Sequence, residues 1–177
     1  VVLIIAPWNY PVNLSLHPLV SALGAGNCAI LKPSEIAPRS AEVLSGLIRE
    51  YFDSAQVACI TGGAGVVQEA IGLRPDYLFF TGGTSVGRKV MESAAAHLIP
   101  VTLELGGKNP CIVDRDIDLS VAVRRIVWGK FNNAGQTCVA PDFVMVDRSI
   151  LDRFIAEVKK TVRHLFGPDP RRSPDYG

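Results

Sequence analysis

Tyr77-Leu78-Phe79-Phe80-Thr81-Gly82-Gly83-Thr84-Ser85-Val86-Gly87 passes from a short apolar run, through paired glycines, into a stretch of helical period that extends to residue 96. Strand, glycine turn and helix in that order make the unit from which parallel α/β sheets are assembled. Similar units recur along the chain. Apolar runs of strand length occupy residues 1–6, 28–32, 57–60, 77–80, 101–105, 111–113 and 143–146. Over residues 40–51, helical spacing puts Ala41, Val43, Leu44, Leu47, Ile48 and Tyr51 on one face, and residues 84–96, 119–131 and 151–165 follow the same period. Strands that read as apolar throughout, separated by helices, predict a Rossmann-like parallel α/β sheet with helices on both faces. The rhythm breaks at Gly106-Gly107-Lys108-Asn109-Pro110. Two glycines and a proline there predict a domain boundary, with residues 1–105 on one side and 106–177 on the other.

Composition narrows the class of protein. Of 177 residues, 48% are hydrophobic and 20% charged, enough apolar material for a packed core. Lys and Arg number 18 against 17 Asp and Glu, and the densest basic cluster is Arg171-Arg172. Such a balance offers no basic face for a nucleic-acid backbone. The apolar run at the start is too short to span a bilayer and is broken by Pro7, so no membrane segment is expected in this chain. It begins without Met or a charged leader, and Pro174-Asp175-Tyr176-Gly177 ends it in a turn, so a fragment of a longer protein is expected. The four cysteines, at 28, 59, 111 and 138, form no Cys-x-x-Cys pair and no metal-ligand spacing. Unpaired thiols suit a reducing compartment, which predicts a cytoplasmic protein. Cys28, Cys59 and Cys111 sit in apolar runs, where packing is the expected role.

In open parallel sheets, ligands bind beyond the carboxyl ends of the strands. Polar and glycine residues gather at those places here: Trp8-Asn9, Lys32-Pro33-Ser34-Glu35, Gly82-Gly83-Thr84 with Gly87, and Glu104-Leu105-Gly106. Glycines between a strand and a helix let backbone N–H groups approach an anion at the helix N-terminus. A plain strand-to-helix turn capped by Thr84 accounts for the same residues. Lys32 and Glu35 could hold a ribose; on local sequence alone, a helix entry with Ser34 as N-cap, Glu35 favoured by the helix dipole and Lys32 solvated explains them better. Glu104 interrupts an apolar run, and a buried carboxylate there would have a pKa raised toward that of a general base. Pairing with a nearby arginine, or a strand-end glutamate reaching water, is the structural alternative. Cys138 stands apart from the other thiols, in the small polar loop Asn132-Asn133-Ala134-Gly135-Gln136-Thr137-Cys138. Loop N–H donors can lower a thiol pKa and make it a nucleophile. Asn9 can offer an amide N–H to an oxyanion, or simply turn the chain between two prolines.

Five stretches, in order, resemble the aldehyde dehydrogenase superfamily: Pro7-Trp8-Asn9-Tyr10-Pro11, Lys32-Pro33-Ser34-Glu35, Phe80-Thr81-Gly82-Gly83-Thr84 with Gly87, Leu103-Glu104-Leu105-Gly106-Gly107-Lys108, and Gly135-Gln136-Thr137-Cys138. Asn9-Tyr10-Pro11-Val12-Asn13, Thr137-Cys138-Val139-Ala140-Pro141-Asp142 and Ser173-Pro174-Asp175-Tyr176 look most like its class 3, fatty-aldehyde branch. The resemblance implies oxidation of a small-molecule aldehyde with NAD or NADP. It implies Cys138 as nucleophile, Glu104 as general base, and Asn9 with the Cys138 N–H as oxyanion donors. It also implies Trp8, Lys32, Glu35, Gly82, Gly83, Thr84, Gly87, Leu105 and Gly106 as the cofactor-binding set, no metal, and a homodimeric parent. Gly83 departs from the Ser or Asn of many relatives, and the second glutamate motif of the family is absent. A truncated, non-catalytic nucleotide-binding fragment and a cofactor-independent thiol esterase are the competing expectations.

Overall fold

The computed structural model describes residues 1–176. It divides into two compact units, Val1–Leu105 and Gly106–Gly177. In the first, β1 (Val2–Ile5), α1 (Asn13–Gly24), β2 (Ala29–Lys32), α2 (Pro38–Tyr51), β3 (Val57–Cys59), α3 (Ala64–Gly72), β4 (Tyr77–Gly82), α4 (Thr84–Ala95) and β5 (Val101–Leu105) follow one another. The five strands are all parallel, in the order β3-β2-β1-β4-β5. That order reverses direction at β1, the place where doubly wound sheets open a crevice for ligands.

Each strand sends alternate residues to opposite faces. Leu3, Ile5, Leu78 and Phe80 meet Val67, Ile71, Val90 and Ala94 of α3 and α4 on one side. Ile4, Ala29 and Leu31 meet Leu19, Ala22 and Ile48 of α1 and α2 on the other. Both α1 and α3 lie in stretches where apolar spacing marks no helix. Pro18 falls inside α1, and Gly62, Gly63 and Gly65 crowd the start of α3. Helical burial at Ser15, Leu19 and Ala22 is nonetheless present, so tertiary packing overrides local propensity here.

Edge strand β5 departs from the expected apolar run. Val101, Leu103 and Leu105 pack against the α3–α4 core. Thr102 and Glu104 point the other way, with Thr102 Oγ1 2.5 Å from the Tyr77 hydroxyl. Glu104 is therefore exposed, contrary to the buried carboxylate expected. Val-Thr-Leu-Glu-Leu is an alternating strand, half-covered because it ends the sheet.

The second unit pairs β6 (Pro110–Val113) with β7 (Phe143–Val146) in parallel. Between them runs α5 (Leu119–Phe131), and α6 (Leu151–Phe166) follows β7. Val113, Val123, Val127, Ile150 and Phe154 form its core. Asp118 caps α5 by accepting from the N–H groups of Ser120 at 3.0 Å and Val121 at 3.1 Å. These bonds, the one from Val121 foremost, hold its carboxyl below the usual carboxylate range. Phe131, Phe166 and Tyr176 stack edge-on, with centroids 5.2 to 6.1 Å apart. No helix among the described residues is long and apolar enough to cross a membrane.

Candidate active site

All five parallel strands point their carboxyl ends to one rim of the first unit. Four of the five sequence stretches lie wholly or partly there. Trp8 and Asn9 follow β1, and Lys32 ends β2 with Pro33–Glu35 after it. Gly82–Gly87 run from the end of β4 into α4, and Glu104 is the last residue but one of β5, opposite Thr81. Trp8 is exposed and Asn9 half-buried.

Lys32 is not solvated: its side chain is 4% exposed, and its Nζ donates to Glu35 Oε2 at 2.5 Å. Because β2 is a central strand, its last side chain is enclosed on either side, and the ammonium needs an acceptor. Nor does Ser34 cap the following helix. Its hydroxyl accepts from Ile36 N–H at 3.3 Å in a local turn, and α2 starts later, with Pro38 in its first turn. The hydrogen bond from Lys32, above all, holds the Glu35 carboxyl below its ordinary value of 4.5. A value depressed on folding contributes stability above the ordinary value, which is lost as the pH falls through the folded one. Glu35 is 49% exposed, so about 1 kcal/mol or less is at stake. The urea midpoints of the protein and its Glu35→Gln variant are expected to differ near neutral pH and converge in acid.

Glu35 also borders a cleft of about 350 Å³, lined by Glu42, Ser45, Arg49, Thr61 and Gly62 among others. Sequence periodicity did not single out these residues. Ser45, a buried polar residue on the apolar face of α2, is the one signal that could have found them. The glycine turn has a steric reason. A Cβ on Gly82 would lie 2.5 Å from Phe80 Cζ, and one on Gly87 would lie 2.8 Å from Leu105 Cδ2. Gly83, with nothing within 4 Å of such a Cβ, leaves the backbone open above the start of α4. Gly83 is also the N-cap, so Thr84 opens the helix and does not cap it. Gly83 therefore offers no side-chain acceptor to the first N–H groups of α4, which suits an incoming anion.

In the second unit, Asn133, Ala134 and Gly135 have φ of 52°, 52° and 78°, three left-handed residues in succession. Each non-glycine residue there costs about 1–2 kcal/mol, and such outliers concentrate at functional loops. Gln136 N–H donates to Asn133 C=O at 3.0 Å, and its Nε2 reaches the same oxygen at 2.9 Å. Cys138 follows, exposed. Its chain neighbours are therefore ordered while its thiol stays accessible. The other thiols differ. Cys59 and Cys111 are half-buried, and Cys28 is exposed, not packed as expected, because β2 begins only at Ala29. Burial pushes the Cys59 thiol up, away from thiolate formation. No three His, Cys, Asp or Glu side chains among the described residues group so as to hold a metal ion.

The aldehyde dehydrogenase family model matches residues 1–177. The chain belongs to the aldehyde dehydrogenase family. Among curated relatives, it is 50% identical over 177 residues to the mouse "Aldehyde dehydrogenase, dimeric NADP-preferring", covering 100% of this chain and 39% of that one. To mouse "Aldehyde dehydrogenase family 3 member A2" it is 49% identical, covering 99% of this chain and 36% of the relative. The class 3 resemblance is thus shared with named class members. Among solved aldehyde dehydrogenase structures, the substrate-bound state of Staphylococcus aureus AldH superposes with a TM-score of 0.92 at 50% identity, over 99% of this chain and 38% of that one. This member of the family therefore spans less than half the length of the relatives it matches.

Proposed function

We propose that the whole protein oxidises an aldehyde to a carboxylic acid with NAD or NADP. Residues 1–105 would supply the nucleotide-binding rim, and residues 106–177 would carry the nucleophile. One observation supports this most directly: an exposed cysteine, held in an ordered loop, at the family's Gly135-Gln136-Thr137-Cys138 motif. The Cys138 thiolate adds to the aldehyde carbon, and the carbonyl π pair moves to oxygen. Asn9 Nδ2 and the Cys138 N–H receive that oxyanion; each such donor is worth about 3 kcal/mol of transition-state stabilisation. A bound nicotinamide supplies the hydride acceptor. The carbonyl re-forms as a thioester on Cys138. Glu104 takes a proton from water, the water oxygen bonds to the acyl carbon, and the C–S bond breaks to release the acid.

The residues present fit a dinucleotide. Glu35 offers an ionised acceptor for ribose hydroxyls with Lys32 beside it, and the uncapped start of α4 suits a pyrophosphate. Trp8, Gly82, Gly83, Thr84, Gly87, Leu105 and Gly106 complete the set we assign to the cofactor. The mouse relative is named both dimeric and NADP-preferring, and we extend a homodimer to this protein. Four free cysteines lead us to place it in the cytoplasm.

Full-length protein mixed with an aliphatic aldehyde and either nucleotide is expected to form reduced nicotinamide, followed by absorbance. Cofactor binding without reduction would favour a non-catalytic nucleotide-binding module instead. Hydrolysis of an activated ester with no nucleotide, and no aldehyde oxidation, would favour the thiol esterase.

A further inference from the structure

We infer that Asn109 is a positioning residue for Cys138, acting on the carbonyl oxygens of the nucleophile loop; the inference rests on Cys138 being the nucleophile, as proposed above. Thr137-Cys138-Val139-Ala140 forms a tight turn, closed by Ala140 N–H donating to Thr137 C=O at 3.1 Å. Cys138 and Val139 occupy its two corners, and neither has a positive φ. The soft motion of such a turn is a flip of the peptide plane between its corners. That flip exchanges the directions of the Cys138 C=O and the Val139 N–H while the closing bond survives.

The Asn109 side chain opposes the flip. Its Nδ2 donates to Cys138 C=O at 2.6 Å and to Ala140 C=O at 3.1 Å. Asn109 is itself anchored to the same loop, because its backbone C=O accepts the Asp142 N–H at 2.9 Å. The neighbouring Lys108 Nζ lies 3.4 Å from the Asp142 carboxylate. Gly107 belongs to this arrangement as well, since a Cβ there would come within 2.9 Å of Asn109 Oδ1. So residues 107–109, just past the domain boundary, grip residues 138–142 by backbone and side chain together.

The chemical consequence follows from charge. During the reaction, negative charge develops first on Cys138 Sγ and then on the substrate oxygen. A Cys138 carbonyl free to rotate would present its negative end to that charge in a fraction of molecules. A carbonyl bonded to an amide is withheld, and nothing needs to reorganise when the charge forms. Val139 is β-branched and disfavours the positive φ that the flipped turn requires, so the loop is not released wholly when Asn109 is lost.

In the full-length protein, Asn109→Ala is expected to lower kcat about 10-fold, while KM for aldehyde and for nucleotide changes less than about 2-fold, because two neutral hydrogen bonds are removed and neither touches substrate. Asn109→Asp, isosteric but lacking the donor, should do at least as much, and Asn109→Ser, with one donor, should lose less. The rate of Cys138 alkylation at a fixed pH should change in Asn109→Ala and return toward wild type in Asn109→Ser, which a merely structural role would not produce. Retention of kcat within about 2-fold in both Asn109→Ala and Asn109→Asp, with Cys138→Ala inactive, would overturn this inference alone. Activity persisting in Cys138→Ala would instead overturn the reading beneath it. Should Asn109→Ala fail to fold, the graded comparison of Asp and Ser variants carries the same test: equal kcat and equal alkylation rates in the two would refute the role.

Discussion

Cys138→Ala is expected to abolish aldehyde oxidation by the full-length protein, lowering kcat on the order of 10⁴-fold or more, because it removes the nucleophile of the proposed covalent intermediate. The other three thiols are poor substitutes by structure. Cys59 and Cys111 are half-buried against hydrophobic clusters, and burial raises the Cys59 pKa. Cys28 is exposed but sits ahead of β2, at the end of the sheet remote from the rim where the site stretches gather. Folding should be little affected. Cys138 is exposed, so truncating it opens no cavity, and surface substitutions of this kind change stability by about 0.5 kcal/mol or less. Cofactor binding should persist, as Cys138 is not in the proposed nucleotide set. Aldehyde-dependent nicotinamide reduction measures the loss, with the urea midpoint and nucleotide titration as controls. Near-normal turnover in this variant would leave the proposed chemistry without its nucleophile.

Glu104→Gln carries the second large effect, and it separates the two halves of the reaction. Thioester formation needs the thiolate, the oxyanion donors and the hydride acceptor, whereas hydrolysis needs a base for water. A positioned general base contributes about 10²- to 10⁴-fold. Steady-state turnover should fall by that range, while a burst of about one equivalent of reduced cofactor per site survives. The substitution is nearly isosteric at an exposed position on the outward face of β5, so misfolding is a poor explanation for any loss. Rapid mixing, with quantitation of the first turnover, is the measurement. If the burst vanishes with the turnover, Glu104 acts before the thioester forms, and the division of roles drawn here is wrong.

Strand identity was written plainly in the chain. Runs such as Leu3-Ile4-Ile5 and Leu78-Phe79-Phe80 are apolar on both faces because helices cover both faces of a parallel sheet. The glycine turn at Gly82–Gly87 was legible for a similar reason: local geometry there excludes side chains, and the exclusion shows as glycine. Two helices were hidden. In α1, Pro18 interrupts the pattern, and in α3 glycines do, yet both helices are held by the core they bury. At Glu104, periodicity misled. A five-residue stretch with three apolar members reads as a buried run, although its alternation marks a strand with one open face.

The choice of the proposed reacting groups came from the sequence alone, since thiol, carboxylate and carboxamide chemistry belongs to residue types and their order. Which of them are accessible, paired or oriented was decided only by folding. Lys32 is enclosed and bonded to Glu35, Glu104 is open to solvent, and Asn109 meets the carbonyl of Cys138 across 29 positions of chain. The enclosure of Lys32 and the Asn109–Cys138 bond arise from residues distant in sequence, and no local pattern encodes them.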